Sequence, residues 1–156
     1  VPKLLLKALV VIESDMNPRA YRYEPKFWDR YLKDNPLWCD KDPKVVSASY
    51  GLTQVMYVVA RENGFKRGAE DLYDPVANIG LGAKILRGHH DDAIAEGVHI
   101  KTGTWPIKIA LARYNGGRGG NPGADGRLRN HTYVDKVMEK WWELHENEEE
   151  CLGNTK

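Results

Sequence analysis

The chain has 156 residues, 42% of them hydrophobic and 29% charged, and its 23 Lys and Arg offset 22 Asp and Glu to leave a net charge of +1. That length and apolar content suit one domain with a buried core and exclude wholesale disorder, while the charge balance offers no global attraction to nucleic acid. No apolar run approaches the ~20 residues of a membrane span, and Cys39 and Cys151 stand too far apart for a Cys-x-x-Cys metal or redox motif.

The first predicted element is a helix in which Leu4, Leu5, Ala8, Leu9 and Ile12 recur on one face, followed by Asn17-Pro18, a turn signal. Beginning on a helical pattern at Val1, the chain reads as trimmed, or as one module of a longer protein. Glu13 falls in the last turn of this helix. There the negative end of the helix dipole and apolar neighbours should favour the neutral carboxyl, as a general acid requires. The competing reading is an ordinary solvated glutamate.

From about residue 19 to 47 an aromatic-rich stretch places Tyr21, Tyr23, Phe27, Trp28, Tyr31 and Trp38 among charges and prolines, with a short helix expected from Pro25-Lys26. These aromatics suit either packing or stacking on sugar rings. Ser49, Gly51, Gln54 and Met56 follow, leading into a helix that should end at Asn63-Gly64, with Gln54 early in it. Asp74-Pro75 caps the next helix. Val76, Ile79, Gly80, Ala83 and Leu86 form its apolar face, and Gly80 and Ala83 leave a notch for a neighbouring helix. His89-His90-Asp91-Asp92 reads as a solvated helix end, because adjacent helical residues diverge too far to share a metal.

Thr104-Trp105-Pro106 opens a helix with Ile107, Ala110, Leu111 and Tyr114 on one face, running into the glycine-rich segment Asn115 to Gly123, expected as a mobile rim. A last helix starts near Asn130 or Thr132 and buries Tyr133, Val134, Val137, Met138, Trp141 and Leu144; its acidic end should be solvated. No sustained alternation demands a strand. The fold class is mainly α, a single compact helical domain with little or no β-structure.

Four motifs occur in order: Glu13-Ser14, Gly51-Leu52-Thr53-Gln54-Val55-Met56, Ala112-Arg113-Tyr114-Asn115-Gly116-Gly117 and Tyr133-Val134. Each alone is common, but together with the helix from Asp74-Pro75 they make the chain resemble the soluble lytic transglycosylases, which share the goose-type lysozyme-like fold, over about Leu5 to Val137. The resemblance implies cleavage of peptidoglycan glycan strands between N-acetylmuramic acid and N-acetylglucosamine, with Glu13 as acid and then base, a 1,6-anhydro product, and neither metal nor cofactor. It implies substrate contacts for Ser49, Gln54, Met56, Tyr114, Asn115 and Tyr133. It also implies a monomer or a module acting in the periplasm or cell envelope, or one that is secreted or virion-associated.

Three departures from the family pattern stand out. Thr53 replaces the usual Met, a change expected to alter the cleft lining slightly. The aromatic stretch before Gly51 is longer than usual, resembles phage-associated or envelope-penetrating members, and could form a flap. Arg129-Asn130 stands where a Glu-Thr pair is common. Rival readings are a lysozyme-type hydrolase using water, a non-catalytic glycan-binding module and, more distantly, a nucleic-acid binder.

Overall fold

A computed structural model describes residues 1–153, with the side chains of Arg118 and of residues 150–153 left aside; the pairing of Cys151 therefore lies outside the described residues, while Cys39 is exposed. The protein is mainly α. The described residues fall into two units, 1–12 with the chain from Ala83 onward, and Glu13–Gly82.

In the first unit the apolar faces of four helices make the core. Helix α1 (Lys3–Ser14) contributes Leu5, Ala8 and Leu9, and α5 (Pro75–Ala95) contributes Leu86. Helix α7 (Pro106–Gly116) adds Ala110, Leu111 and Ala112, and α8 (His131–Gly153) adds Val134, Val137 and Met138. Each fully buried Leu or Val stabilises the fold by about 1.5–3 kcal/mol. The expected partners Ile12, Ile107, Tyr114, Tyr133, Trp141 and Leu144 pack around this core, partly buried. Helix α6 (Val98–Thr102) is bounded by two left-handed glycines, Gly97 and Gly103.

The glycine-rich segment after α7 is more tethered than a free rim. It winds into a 3-10 turn (Gly117–Gly120) that folds back so tightly that a Cβ on Gly120 would strike the Ala112 carbonyl. Arg113, only 3% exposed, reaches from α7 to both sides: its Nε donates to Asn121 Oδ1 (2.7 Å) and its Nη2 to Glu96 Oε2 (2.6 Å).

The second unit carries what the alternation pattern did not reveal, a small antiparallel sheet in the order β1 (Tyr21–Tyr23), β2 (Ala48–Tyr50), β3 (Val55–Met56). Two or three residues per strand are too few for a period-two signal. The aromatic stretch supplies β1, pairing Tyr21 with Tyr50 and Tyr23 with Ala48, so its start is an integral strand. Helix α2 (Pro25–Phe27) continues into a π-helical turn, Trp28–Leu32, while α3 (Pro43–Val46) and α4 (Tyr57–Glu62) complete this side. Phe27, Trp28 and Trp38 pack on a second apolar cluster of Leu32, Val46 and Val58. Tyr31 is left 53% exposed.

Two details of α5 differ from expectation. Val76 is 82% exposed, and the close approach is made at Gly82 instead of Gly80: a Cβ there would press on the Thr53 side chain, whereas Gly80 faces open space. Beyond it Asp91 accepts from Arg87 Nε and meets His90 Nδ1, and these contacts, His90 first, hold its carboxyl below the usual carboxylate range. Among the described residues no group of His, Cys, Asp and Glu is arranged to hold a metal ion, and no helix is long and apolar enough to cross a membrane.

Candidate active site

Glu13 stands where the periodicity placed it, in the last turn of α1, and it is half-buried. The helix stops abruptly because the next two residues, Asp15 and Met16, take left-handed backbone angles (φ 51° and 63°), a conformation that costs a non-glycine residue about 1 kcal/mol or more each. Such local strain persists only where surrounding contacts hold it. One of those contacts is Ser14, whose Oγ donates to the Leu52 carbonyl at 2.8 Å. The residue following the candidate acid is thereby tied to the turn that carries the second motif.

That turn, Gly51 to Gln54, joins β2 to β3 and is itself tightly specified. Gly51 sits at φ +71° with its N–H donating to the Ala20 carbonyl (2.8 Å), and a Cβ there would collide with Asn78 and the Leu72 carbonyl, so only glycine fits. Gln54 does not begin a helix as the sequence suggested. It occupies the turn with φ +48°, 9% exposed, and α4 starts only at Tyr57. Its Nε2 donates to the Ala20 and Gly51 carbonyls (3.2 and 3.0 Å), which commits the donor half of the amide to backbone. Its Oε1 acceptor takes no hydrogen bond among the described residues.

Ser49 and Met56 are register partners across β2 and β3 and so share a face of the sheet. Ser49 is 3% exposed, and Met56 is half-buried against the Leu32, Val46 and Val58 cluster. Three expected substrate contacts, Ser49, Gln54 and Met56, thus converge on one hairpin, and Ser14 links that hairpin to the Glu13 turn.

Behind the hairpin lies a residue the sequence reading passed over. Asn78 is fully buried, donates through Nδ2 to the Tyr50 and Leu72 carbonyls (2.8 and 2.9 Å), and accepts through Oδ1 from Thr53 N–H and Thr53 Oγ (2.8 and 2.7 Å). Asn78 therefore braces the Gly51–Gln54 turn through Thr53 and the end of β2, and ties both to Leu72. The available signal was a polar residue on the face of α5 that also carries the buried Leu81 and Ile85. Thr53 is also corrected by this: it is fully buried and bonded to Asn78, with no share in any cleft lining.

In the other unit, Tyr114 and Tyr133 are half-buried on the α7–α8 core, and Asn115 is exposed at the end of α7. Asn130 joins the two elements: its Nδ2 donates to the Ala112 carbonyl (2.9 Å) and to Asn115 Oδ1 (3.1 Å). The residue standing where a Glu-Thr pair is common thus has a structural role, orienting Asn115 and closing the start of α8.

A family model described as "Transglycosylase SLT domain" matches residues 1–130. No curated protein and no solved structure matches the chain.

Proposed function

The chain belongs to the transglycosylase SLT domain family, and from that premise we propose that it is a peptidoglycan lytic transglycosylase in which Glu13 acts first as acid and then as base. Membership of the family makes lytic transglycosylation the class of activity and peptidoglycan, outside the cytoplasm, the class of substrate. The finer reading is support for cleavage between N-acetylmuramic acid and N-acetylglucosamine, in the periplasm or cell envelope or as a secreted or virion-borne protein.

The observation that carries this reading is the half-buried carboxyl of Glu13 at the strained end of α1, pinned through Ser14 to the Leu52 carbonyl in the Gly51–Gln54 turn. A glutamate placed only for solubility would not need its helix stopped by two left-handed residues and anchored to a braced turn. The protonated carboxyl gives its proton to the glycosidic oxygen as the bond to the anomeric carbon breaks. The resulting carboxylate then takes the proton of the muramic acid C6 hydroxyl, whose oxygen bonds to that same anomeric carbon. The chain is cut, a 1,6-anhydro ring is formed, the carboxyl is regenerated, and no water is consumed. One carboxyl suffices because the nucleophile belongs to the substrate. The free acceptor of Gln54 is suited to a substrate N–H or hydroxyl, and Tyr114, Asn115, Tyr133, Ser49 and Met56 are proposed as further substrate contacts or supports.

Digestion of purified sacculi followed by mass spectrometry of the released muropeptides tests the proposal. Anhydromuropeptides are expected, lighter by one water than the products of a hydrolase, and Glu13→Gln should lower their release by at least about a hundredfold with an unchanged circular dichroism spectrum. Reducing-end muramic acid would replace the reading with a lysozyme-type hydrolase. Binding of glycan without any cleavage would replace it with a non-catalytic module.

A further inference from the structure

On the unit that holds α7 and α8, a groove of about 670 Å3 opens between the start of α7 and one face of α8. At roughly 100° per residue, His131, Asp135, Met138 and Trp142 line up along that face, on the side of α8 turned away from Tyr133. The volume lies in the range of ligand pockets, about 300–1,000 Å3. Its floor is apolar, Leu128 and Met138, and its rim is aromatic: Trp105 is 61% exposed and Trp142 53%.

Exposed tryptophans are ordinarily a liability, and here the Trp142 ring and the Trp105 backbone are held by neighbours. Trp142 stacks on Trp141 at 5.3 Å between ring centroids. The Trp105 carbonyl accepts from the N–H groups of Lys108 and Ile109 at the start of α7. The connecting walls are equally specified, since Thr104 Oγ donates to the Gly126 carbonyl (3.2 Å), and Gly126, at φ +75°, lies so close to the Thr102 carbonyl that a Cβ would clash.

Among the described residues, Lys108, Arg127 and Asp135 form no ion pair through their side chains. His131 Nδ1 meets the Leu128 carbonyl at 3.3 Å. Two fixed cations against one carboxylate make the groove positive within a chain of net charge only +1.

We propose that this groove is a second saccharide site that takes an acidic N-acetylated sugar, with pyranose faces on Trp105 and Trp142 and a carboxylate of the lactyl group or peptide stem on Lys108 and Arg127. Flat apolar faces with polar rims suit sugar rings, whose axial C–H faces are apolar and whose edges are hydroxyls. Cations without intramolecular partners suit a ligand carboxylate. The identity of the sugar as muramyl rests on the transglycosylase reading; the existence of the site does not.

The test uses the whole chain carrying Glu13→Gln, so that the probe survives. One probe is a tetrasaccharide of alternating N-acetylglucosamine and N-acetylmuramic acid with its peptide stems, and the other is the neutral tetramer of N-acetylglucosamine. The indole N–H resonances of Trp105 and Trp142, identified by replacing each with Phe, should move on titration with the acidic probe. Read at the indole that remains, affinity should fall about tenfold in Trp105→Ala and about tenfold in Trp142→Ala. It should fall to that of the neutral tetramer in Lys108→Ala/Arg127→Ala. Indoles that stay still at saturation, or equal affinity for both probes, would overturn the site as proposed. A single-stranded oligonucleotide that moves the same resonances more tightly, with steep salt dependence, would also overturn it in favour of a nucleic-acid surface. If the indoles respond while the native chain releases no anhydro product from sacculi, the catalytic reading fails and this site stands.

Discussion

Each unit of the protein is organised around one buried polar side chain, and the two are of opposite kinds. In the Glu13–Gly82 unit it is the neutral amide of Asn78, whose oxygen is spent on Thr53 and whose nitrogen donates to the Tyr50 carbonyl of the second-motif hairpin and to the Leu72 carbonyl outside it. In the other unit it is the charged guanidinium of Arg113, which holds the glycine-rich segment through Asn121 and pairs with Glu96, a residue still one-third exposed. A buried amide contributes short, directed bonds that salt and ordinary pH do not alter. A buried cation needs a counter-charge, and its contribution depends on how well that partner is desolvated. The hairpin beside the candidate acid is therefore built for rigidity, and the glycine-rich segment for adjustable anchoring.

The sharpest way to break this contrast is Asn78→Ala, which removes a donor from the Tyr50 and Leu72 carbonyls and the acceptor from the buried Thr53 N–H and hydroxyl, and should cost about 4 kcal/mol in urea unfolding. A loss below about 1 kcal/mol would mean that the turn is held by something other than Asn78. Thr53→Met, which installs the residue more usual in the family, should cost about 3 kcal/mol, because it removes a buried hydroxyl from Asn78 and forces a longer side chain against Gly82. If that variant is neutral, Thr53 is an interchangeable lining residue after all. Glu96→Ala should cost about 2 kcal/mol, less than a fully buried pair because Glu96 is partly solvated. Unlike the two hairpin variants, its cost should shrink in high salt, and an equal cost at low and high salt would erase the distinction between the two anchors.

The smallest effect concerns Tyr50, next to the same hairpin. Burial, and then Tyr21, Tyr73, Asp42 and Glu70, push its phenol well above the ordinary tyrosine value, while its hydroxyl donates to the Val45 carbonyl (2.9 Å). The unfolded chain loses this proton near pH 10 and the folded chain retains it. Stability is therefore complete below pH 10 and declines as pH rises above it, by about 1 kcal/mol at pH 11. In Tyr50→Phe this part of the decline, measured by urea unfolding between pH 8 and 11, should vanish.

Much of the fold was legible in the residues because burial in a helix repeats every three to four positions. Leu5 and Leu9, Ala110 and Leu111, and Val134 and Val137 announce α1, α7 and α8 in this way, and three of the four ordered motifs lie within the family match over residues 1–130, Tyr133-Val134 falling just beyond it. Local chemistry also marked the stop after Ser14, the Pro75 and Pro106 starts and the end at Asn63-Gly64, since proline and glycine restrict the backbone wherever they stand. Tertiary structure decided the rest. The strands are too short to print a period, and Gln54 is drawn into a left-handed turn by carbonyls of Ala20 and Gly51 that no local rule brings to it. Asn78 and Thr53 are 25 positions apart, Arg113 and Glu96 are 17 apart, and one groove is rimmed by Trp105, just ahead of α7, and Trp142 of α8. Periodicity records which side of an element is buried; only the closed chain determines which distant polar group meets it there, because a directed bond depends on position in space and leaves no regular trace along the sequence.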